Sequence, residues 1–143
     1  MPRAAREAEV VWEGSSARGR GAITAATSGA FVGLPYSEPT RIGSPNGETS
    51  PEELIAAAHA ACFSMSLAAE LTRVKTPPER LTVRAEVVID EVGGTGHRVV
   101  SSALTVRGAG ISKEAIEAAD AGCPISALIR GSATVTVELE EVV

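Results

Sequence analysis

The stretch from Thr49 to Glu70, TSPEELIAAAHAACFSMSLAAE, constrains the fold more than any other part of the chain. It opens with the start signals of a helix, because Ser50 can cap the first turn, Pro51 suits the first helical position and Glu53 can complete a capping box. A Pro-Pro pair follows shortly after the stretch, and proline stops a helix. The pattern therefore predicts one long helix that ends at about Arg73.

The interior of this helix is apolar around its whole circumference. Residues 54–69 contain no charged side chain, yet this run is shorter than the about 20 residues needed to cross a bilayer, and it includes His59. We therefore expect no membrane contact. Such a helix must be covered on every side, and the small sheets of one short chain can cover only one side. The sequence predicts a homodimer with this helix at its centre, where the alanines within 56–61 allow close approach.

Outside this helix, strand and helix patterns occur in separate blocks, which is typical of the α+β class. Apolar runs bounded by turn residues predict strands at residues 9–13, 21–27, 31–34, 81–90, 98–106 and 133–139. Two further helices are expected, at residues 113–121 and 124–129. Residues 35–50, rich in Pro, Gly and Ser, predict a long surface loop, and Gly93–Gly96 predicts a hairpin turn. The length suits a single domain over residues 1–143.

Charge and cysteine content exclude several classes of function. The net charge is -5 and the 13 basic residues are spread along the chain, so no nucleic-acid partner is expected. The N-terminal MPRAAREAEVVWEG lacks the apolar centre of a secretory signal, which predicts a cytoplasmic location. Cys62 and Cys123 are too few for a disulfide framework, and in a reducing compartment such a pair is more often redox-active or simply buried.

Taken from the residues alone, Cys62 has three interpretations. It can fill an alanine-rich core, as free cysteines often do. It can bind a metal with His59, Cys123 and His97, although Cys123 lacks the neighbouring ligand that zinc sites usually have. It can be a nucleophile. A second cysteine, Cys123, favours this interpretation over core filling, because Cys123 stands at a helix start, where a thiolate is favoured. His59 is more often a satisfied core histidine than a ligand, and His97 is expected to be solvated.

An acid, an imidazole and a thiol share one face of the long helix. Glu52, His59 and Cys62 fall within one arc at 100° per residue. Glu52 and Cys62 are nevertheless roughly 15 Å apart along the axis, so they cannot touch directly. An antiparallel partner helix, or a long side chain such as an arginine lying between them, could link the two.

Four motifs resemble the OsmC/Ohr family of hydroperoxide-reducing proteins, and the OsmC branch in particular. They are ETSPEELIAAAHAACFSM at 48–65, AGCPIS at 121–126, Trp12-Glu13-Gly14 and Pro39-Thr40-Arg41. The similarity runs along the whole chain in the same order. The resemblance implies an α+β fold that forms an intertwined homodimer, with two antiparallel-rich sheets around long central helices and active sites at the subunit interface.

The matching motifs also imply a role for each site residue. Cys62 would be the peroxidatic cysteine and Cys123 the resolving one, joined as a disulfide during turnover. Arg41 would hold the Cys62 thiolate and the peroxide, and Glu52 would orient Arg41. Arg20 is the alternative arginine, because the Ohr branch takes its arginine from the turn after the first strand.

The function implied is that of a thiol-dependent peroxidase that reduces organic hydroperoxides in oxidative stress defence. Burial raises the pKa of a thiol, so Cys62 would need a cation that cannot lose its proton, and arginine is suitable. No bound cofactor or metal is expected, and the reductant would be an external dithiol, either dihydrolipoamide or a lipoylated protein. Two alternatives stay open. One is a redox-sensing or thiol-disulfide protein without appreciable peroxide turnover, and the other is a ligand-binding or structural dimer with inert cysteines.

Overall fold

The computed structural model describes residues 3–94 and 96–140 and confirms the α+β class. In chain order, its elements are β1 (Glu9–Glu13), β2 (Arg20–Thr24), β3 (Leu34–Tyr36), α1 (Glu38–Ile42), α2 (Pro51–Arg73), β4 (Thr82–Glu91), β5 (His97–Arg107), α3 (Lys113–Ala121), α4 (Pro124–Arg130) and β6 (Thr134–Glu140). The chain forms two compact units, one up to Pro51 and one from Glu52 onward. The expectation of a single domain remains a prediction.

The first unit is an antiparallel sheet in the order β1-β2-β3. At its centre Gly21 pairs with Trp12 on one side and with Tyr36 on the other. The two rings pack against each other with centroids 5.6 Å apart and planes tilted by 54°. A Cβ atom at position 21 would lie 2.2 Å from the Tyr36 ring, so this cross-strand aromatic pair requires glycine there.

Two strand boundaries in this unit differ from those expected. The second strand ends at Thr24 instead of residue 27, and the third lies at Leu34–Tyr36 instead of 31–34. The reason is a turn that begins at Ala25, whose N–H donates to the carbonyl oxygen of Phe31 at 2.9 Å. The turn takes up residues whose small or apolar side chains resemble those of a strand.

The segment expected to be one long loop, residues 35–50, contains the short helix α1. Ser37 caps this helix, because its side chain accepts a hydrogen bond from the Thr40 N–H at 3.4 Å, and Pro39 lies in the first turn. A serine followed two residues later by proline is a helix start, which the loop-like composition concealed. Arg41 therefore lies in the last turn of a helix and not in irregular chain.

The second unit contains a sheet in the order β4-β5-β6. Strands β4 and β5 form the predicted antiparallel hairpin, with a register irregularity between Val88 and Ile89. Thr95 of the predicted Gly93–Gly96 turn lies outside the described residues. Strand β6 pairs with β5 in parallel, because α3 and α4 carry the chain back between the two strands, as a parallel pair requires. The core of this unit is formed by α2, α3 and β5, through Phe63, Leu67, Leu71, Leu104, Val106, Ala115, Ile116, Ala119 and Cys123.

Helix α2 has the predicted bounds, Pro51–Arg73. Its buried side chains recur every four residues from His59 through Phe63 and Leu67 to Leu71, which places them on one face. On another face Met65 is 75% exposed, and several alanines beside it are exposed too. One chain therefore covers only part of the helix, as the dimer prediction assumed, while the dimer itself remains a prediction.

Helix α2 is longer than its uncharged run of residues 54–69, on which the expectation of no membrane contact was based. The whole helix has 23 residues and is long and apolar enough to cross a membrane by length and composition. Its packing is nevertheless that of a core helix, since His59 is fully buried and hydrogen-bonded to a serine of the sheet. A polar contact of this kind holds the helix against β5.

Candidate active site

The structure brings Cys62 and Cys123 together within the second unit. Both are free thiols, and they lie near enough for each to shift the pKa of the other. Cys62 is half-buried near the middle of α2, and Cys123 is 1% exposed at the start of α4. The sequence indicated the two cysteines separately, and the packing of α2 against the α3–α4 connection makes them a pair.

Several donors surround the sulfur of Cys123. Cys123 is the N-cap residue of α4, and its Sγ accepts a hydrogen bond from the Ser126 N–H at 3.5 Å. Burial raises the pKa of the Cys123 thiol, but hydrogen bonds from the Ser126 hydroxyl, the Ser126 N–H, the Cys62 thiol and the Ile125 N–H outweigh burial and lower this pKa overall. Cys123 is therefore more acidic than an ordinary cysteine.

The pKa of Cys62 shifts in the opposite direction. Burial raises the pKa of the Cys62 thiol, the Ile125 N–H lowers it, and the neighbouring Cys123 raises it further. Within the second unit, burial and the neighbouring Cys123 thus both favour the protonated form of Cys62. A cation is needed if Cys62 is to become the reactive thiolate, which is the requirement that the sequence predicted.

His59 bridges a strand and a helix beside this pair. It is fully buried, with Nδ1 2.6 Å from Ser102 Oγ of β5 and Nε2 2.8 Å from Ser126 Oγ of α4. The prediction of a satisfied core histidine is confirmed. Burial lowers the pKa of His59, while Asp120 raises this pKa and Arg130 lowers it. Since serine hydroxyls contact both ring nitrogens, His59 is not arranged to bind a metal.

The metal interpretation finds no support elsewhere in the described residues either. Residues 3–94 and 96–140 contain no group of three or more His, Cys, Asp or Glu side chains that could hold an ion. His97, the fourth ligand considered, is exposed at the start of β5. Its exposure agrees with the expectation of a solvated side chain.

Two buried side chains that contact His59, Ser102 and Ser126, were not predicted from the sequence. Both are fully buried. A signal for Ser102 existed, because the Ser101-Ser102 pair interrupts the alternation of β5, and this interruption looked like a weak strand. A polar residue on the buried face of a strand needs a partner, and that partner is His59, far away in sequence.

The two candidate arginines and Glu52 are distributed over both units. Arg20 begins β2 and forms an ion pair with Glu48 in its own unit, and the Thr40 hydroxyl donates to the same carboxylate at 3.1 Å. The pKa of Glu48 is lowered, first by the hydrogen bond from Arg20. Arg41 lines a small cleft of about 230 Å³ with residues of β1, β3 and α1.

Glu52 lies in the first turn of α2 and is only 8% exposed. A carboxylate this buried is usually paired with another group. Because both arginines belong to the first unit and Cys62 to the second, the assignment of either arginine to the Cys62 thiolate stays a prediction.

Comparison with known proteins adds relatives that cover most of the chain. It is 36% identical to Peroxiredoxin OsmC of Escherichia coli (strain K12) over 141 residues, covering 94% of this chain and 96% of that protein. It is also 36% identical to the organic hydroperoxide resistance protein OhrA of Bacillus subtilis (strain 168) over 99 residues, covering 65% of this chain and 68% of OhrA.

Solved structures and a family match agree with these relatives. The organic hydroperoxide resistance protein OhrB of Bacillus subtilis matches the fold with a TM-score of 0.74 and 25% identity, covering 94% of this chain and 98% of OhrB. Residues 44–138, which include both cysteines and His59, match the family described as OsmC-like protein. The chain therefore belongs to the OsmC-like protein family.

Proposed function

We propose that this protein is a thiol-dependent peroxidase that reduces organic hydroperoxides to alcohols. The observation that carries the proposal is that the packing of the second unit brings two free thiols, Cys62 and Cys123, together so that each shifts the pKa of the other. Two neighbouring thiols of this kind are suited to form a disulfide. The names of the relatives, a peroxiredoxin and organic hydroperoxide resistance proteins, support the same activity.

The proposed reaction proceeds in three balanced steps. The Cys62 thiolate attacks the distal oxygen of ROOH, the O–O bond breaks, and the alkoxide takes a proton and leaves as ROH. Cys62 is then a sulfenic acid. The Cys123 thiolate attacks the Cys62 sulfur, an S–S bond forms, and the hydroxide released takes a proton to become water. An external dithiol returns two electrons by thiol–disulfide exchange.

The lowered pKa of Cys123 suits its proposed role as the resolving thiolate. The raised pKa of Cys62 means that its proposed peroxidatic role requires a nearby cation. Arg41 is proposed to hold the Cys62 thiolate and to stabilise the developing alkoxide, with Glu52 as its carboxylate partner. Arg20, which forms an ion pair with Glu48, is the alternative. A positive charge at Cys62 would counter the burial that raises its pKa.

The proposal extends to partners and location. In this proposal the active form of the protein is a homodimer built around α2, and it acts in the cytoplasm in oxidative stress defence. Apolar side chains surround Cys62 in the core of the second unit, and an apolar site favours organic hydroperoxides over hydrogen peroxide. Dihydrolipoamide or a lipoylated protein is the proposed reductant.

Steady-state turnover tests this function. The reduced protein is supplied with dihydrolipoamide and either tert-butyl hydroperoxide or hydrogen peroxide, and peroxide consumption is measured. We expect turnover of the organic peroxide at a higher kcat/KM, and its loss in Cys62→Ser. Disulfide formation without turnover would support the redox-sensing alternative instead, and thiols that survive the peroxide would indicate inert cysteines.

A further inference from the structure

A chain of hydrogen bonds connects the sheet to Ser126, the residue that also contacts the sulfur of Cys123. Ser102 Oγ lies 2.6 Å from His59 Nδ1, and His59 Nε2 lies 2.8 Å from Ser126 Oγ. The Ser126 N–H donates to Cys123 Sγ at 3.5 Å, and the Ser126 side chain lowers the pKa of Cys123. The chain thus links β5, α2 and α4 and ends beside one of the two proposed redox sulfurs.

All members of this chain are buried. Ser102, His59 and Ser126 are 0% exposed and Cys123 is 1% exposed. Away from solvent, each polar hydrogen needs an acceptor among its neighbours, because leaving a buried polar group unsatisfied is energetically costly. The orientation of any one hydroxyl therefore constrains the orientation of the next.

The direction of the hydrogen bonds follows from the acceptor at the end of the chain. A thiolate at Cys123 can only accept, so the Ser126 hydroxyl must donate to it. Ser126 Oγ must then accept from His59, which requires a proton on Nε2. Neutral imidazole carries one donor and one acceptor, so Nδ1 accepts from the Ser102 hydroxyl. The lowered pKa of His59, caused first by burial, agrees with a neutral ring.

We propose that His59 is a positioning residue for Cys123: in its Nε2–H tautomer it fixes the Ser126 hydroxyl so that this hydroxyl donates to the Cys123 sulfur. Ser102 selects the tautomer by donating to Nδ1. The inference rests on the proposed function for its role in turnover, where it keeps the resolving sulfur ready to attack the Cys62 sulfenic acid. The acidity of Cys123 itself can be measured without any peroxide.

Other charged and titratable groups near the chain also act on it. Asp120 of α3 and Arg130 of α4 influence His59 in opposite directions, and their side chains form an ion pair at 2.7 Å. The Cys62 thiol of α2 also lowers the pKa of Cys123. Measurements on Cys123 are therefore made in a Cys62→Ser background, where only one thiol titrates and the Asp120–Arg130 pair is unchanged.

The first test measures the alkylation rate of Cys123 by iodoacetamide against pH in the Cys62→Ser protein. Adding Ser126→Ala should raise the apparent pKa of Cys123 by about one unit, a tenfold loss of thiolate below that pKa, because a charge-assisted donor is removed. Ser126→Thr, which keeps the hydroxyl, should restore the parent midpoint. The matched control is Ser66→Ala, which removes a hydroxyl that bonds the Ala119 carbonyl at 2.7 Å and is no member of the chain.

An unchanged midpoint in Ser126→Ala would overturn the inference, and so would an equal shift in Ser66→Ala. Neither outcome bears on the peroxidase proposal, which depends on turnover by the parent protein. If the parent protein shows no turnover but the midpoint shifts in Ser126→Ala, the peroxidase proposal is wrong and the inference about Cys123 stands.

A second measurement avoids substitution of the buried histidine. The ¹⁵N shifts of the imidazole nitrogens in the reduced parent protein, at a pH above the Cys123 midpoint, report the tautomer of His59, and the exposed His97 serves as an internal reference. We expect the Nε2–H tautomer at His59. A proton on Nδ1, or an equal mixture of tautomers as in a solvated histidine, would contradict the proposed direction of the chain.

Discussion

Cys62 and Cys123 are chemically distinct although they are neighbouring free thiols. Donors at the start of α4 lower the pKa of Cys123, whereas burial raises the pKa of Cys62. A peroxidatic role for Cys62 therefore depends on a cation from outside the immediate surroundings of α2 and α4. At the scale of single residues, the proposed chemistry therefore depends on which arginine, Arg41 or Arg20, supplies this positive charge.

Substitution of the two candidate arginines distinguishes them. Arg41→Gln should lower kcat/KM for tert-butyl hydroperoxide about 100-fold, because it removes a charged donor from the developing alkoxide. Arg20→Gln serves as the matched control and should cost less than about tenfold, since its partner Glu48 forms an exposed ion pair of small energetic value. The reverse order of effects would assign the active-site role to Arg20.

The residues of the candidate site differ in how well the sequence revealed them. The two cysteines and His59 were found because their side-chain chemistry is unusual in an alanine-rich helix and at a helix start. Ser102 and Ser126 were not found, because serine is common and their importance comes only from burial next to His59. A hydrogen bond between residues distant in sequence leaves no local pattern.

At the scale of elements, α2 organises the second unit. Its buried face packs on β5 and α3 through Phe63 and Leu67, and its polar residue His59 ties the helix to both the sheet and α4. The sequence predicted its bounds because a cap, a first-turn proline and a terminal Pro-Pro pair act locally. The parallel pairing of β6 was not predicted, because it depends on where α3 and α4 return the chain.

The packing of α2 predicts the stability of the second unit. Phe63→Ala should lower the free energy of unfolding by about 3–5 kcal/mol, because a fully buried ring is replaced by a cavity. Phe63→Leu is the matched control and should cost under about 1.5 kcal/mol, since most of the volume remains. Urea denaturation followed by circular dichroism measures both. A loss below about 1 kcal/mol in Phe63→Ala would show that this side chain is not central to the core.

At the scale of the whole molecule, the exposed face of α2 is the feature that one chain leaves unexplained. Met65 is 75% exposed on a helix that carries no charge between its first and last turns, and exposed apolar surface of this kind marks interaction sites. The net charge of -5 is too small to prevent association between copies of the chain. A second copy of α2 is the partner that we propose.

Oligomeric state tests this proposal. Native mass spectrometry of the protein at micromolar concentration should show a dimer. Met65→Glu should raise the dimer dissociation constant at least about tenfold, because it places a charge in an apolar interface at a cost above about 1.4 kcal/mol. Lys113→Gln changes the net charge by the same amount at an exposed site on α3 and should leave the dimer intact. A parent protein that is only monomeric would contradict the proposal.

The central claim is that Cys62 and Cys123 act as one redox pair, and intact mass under non-reducing conditions tests it most directly. The reduced protein is treated with one equivalent of tert-butyl hydroperoxide per chain, and the mass and the linked peptides are determined. The account predicts the loss of two hydrogens per chain and a single cross-linked peptide that joins Cys62 to Cys123. An unchanged mass, or oxygen added at one cysteine with the other left as a free thiol, would contradict it.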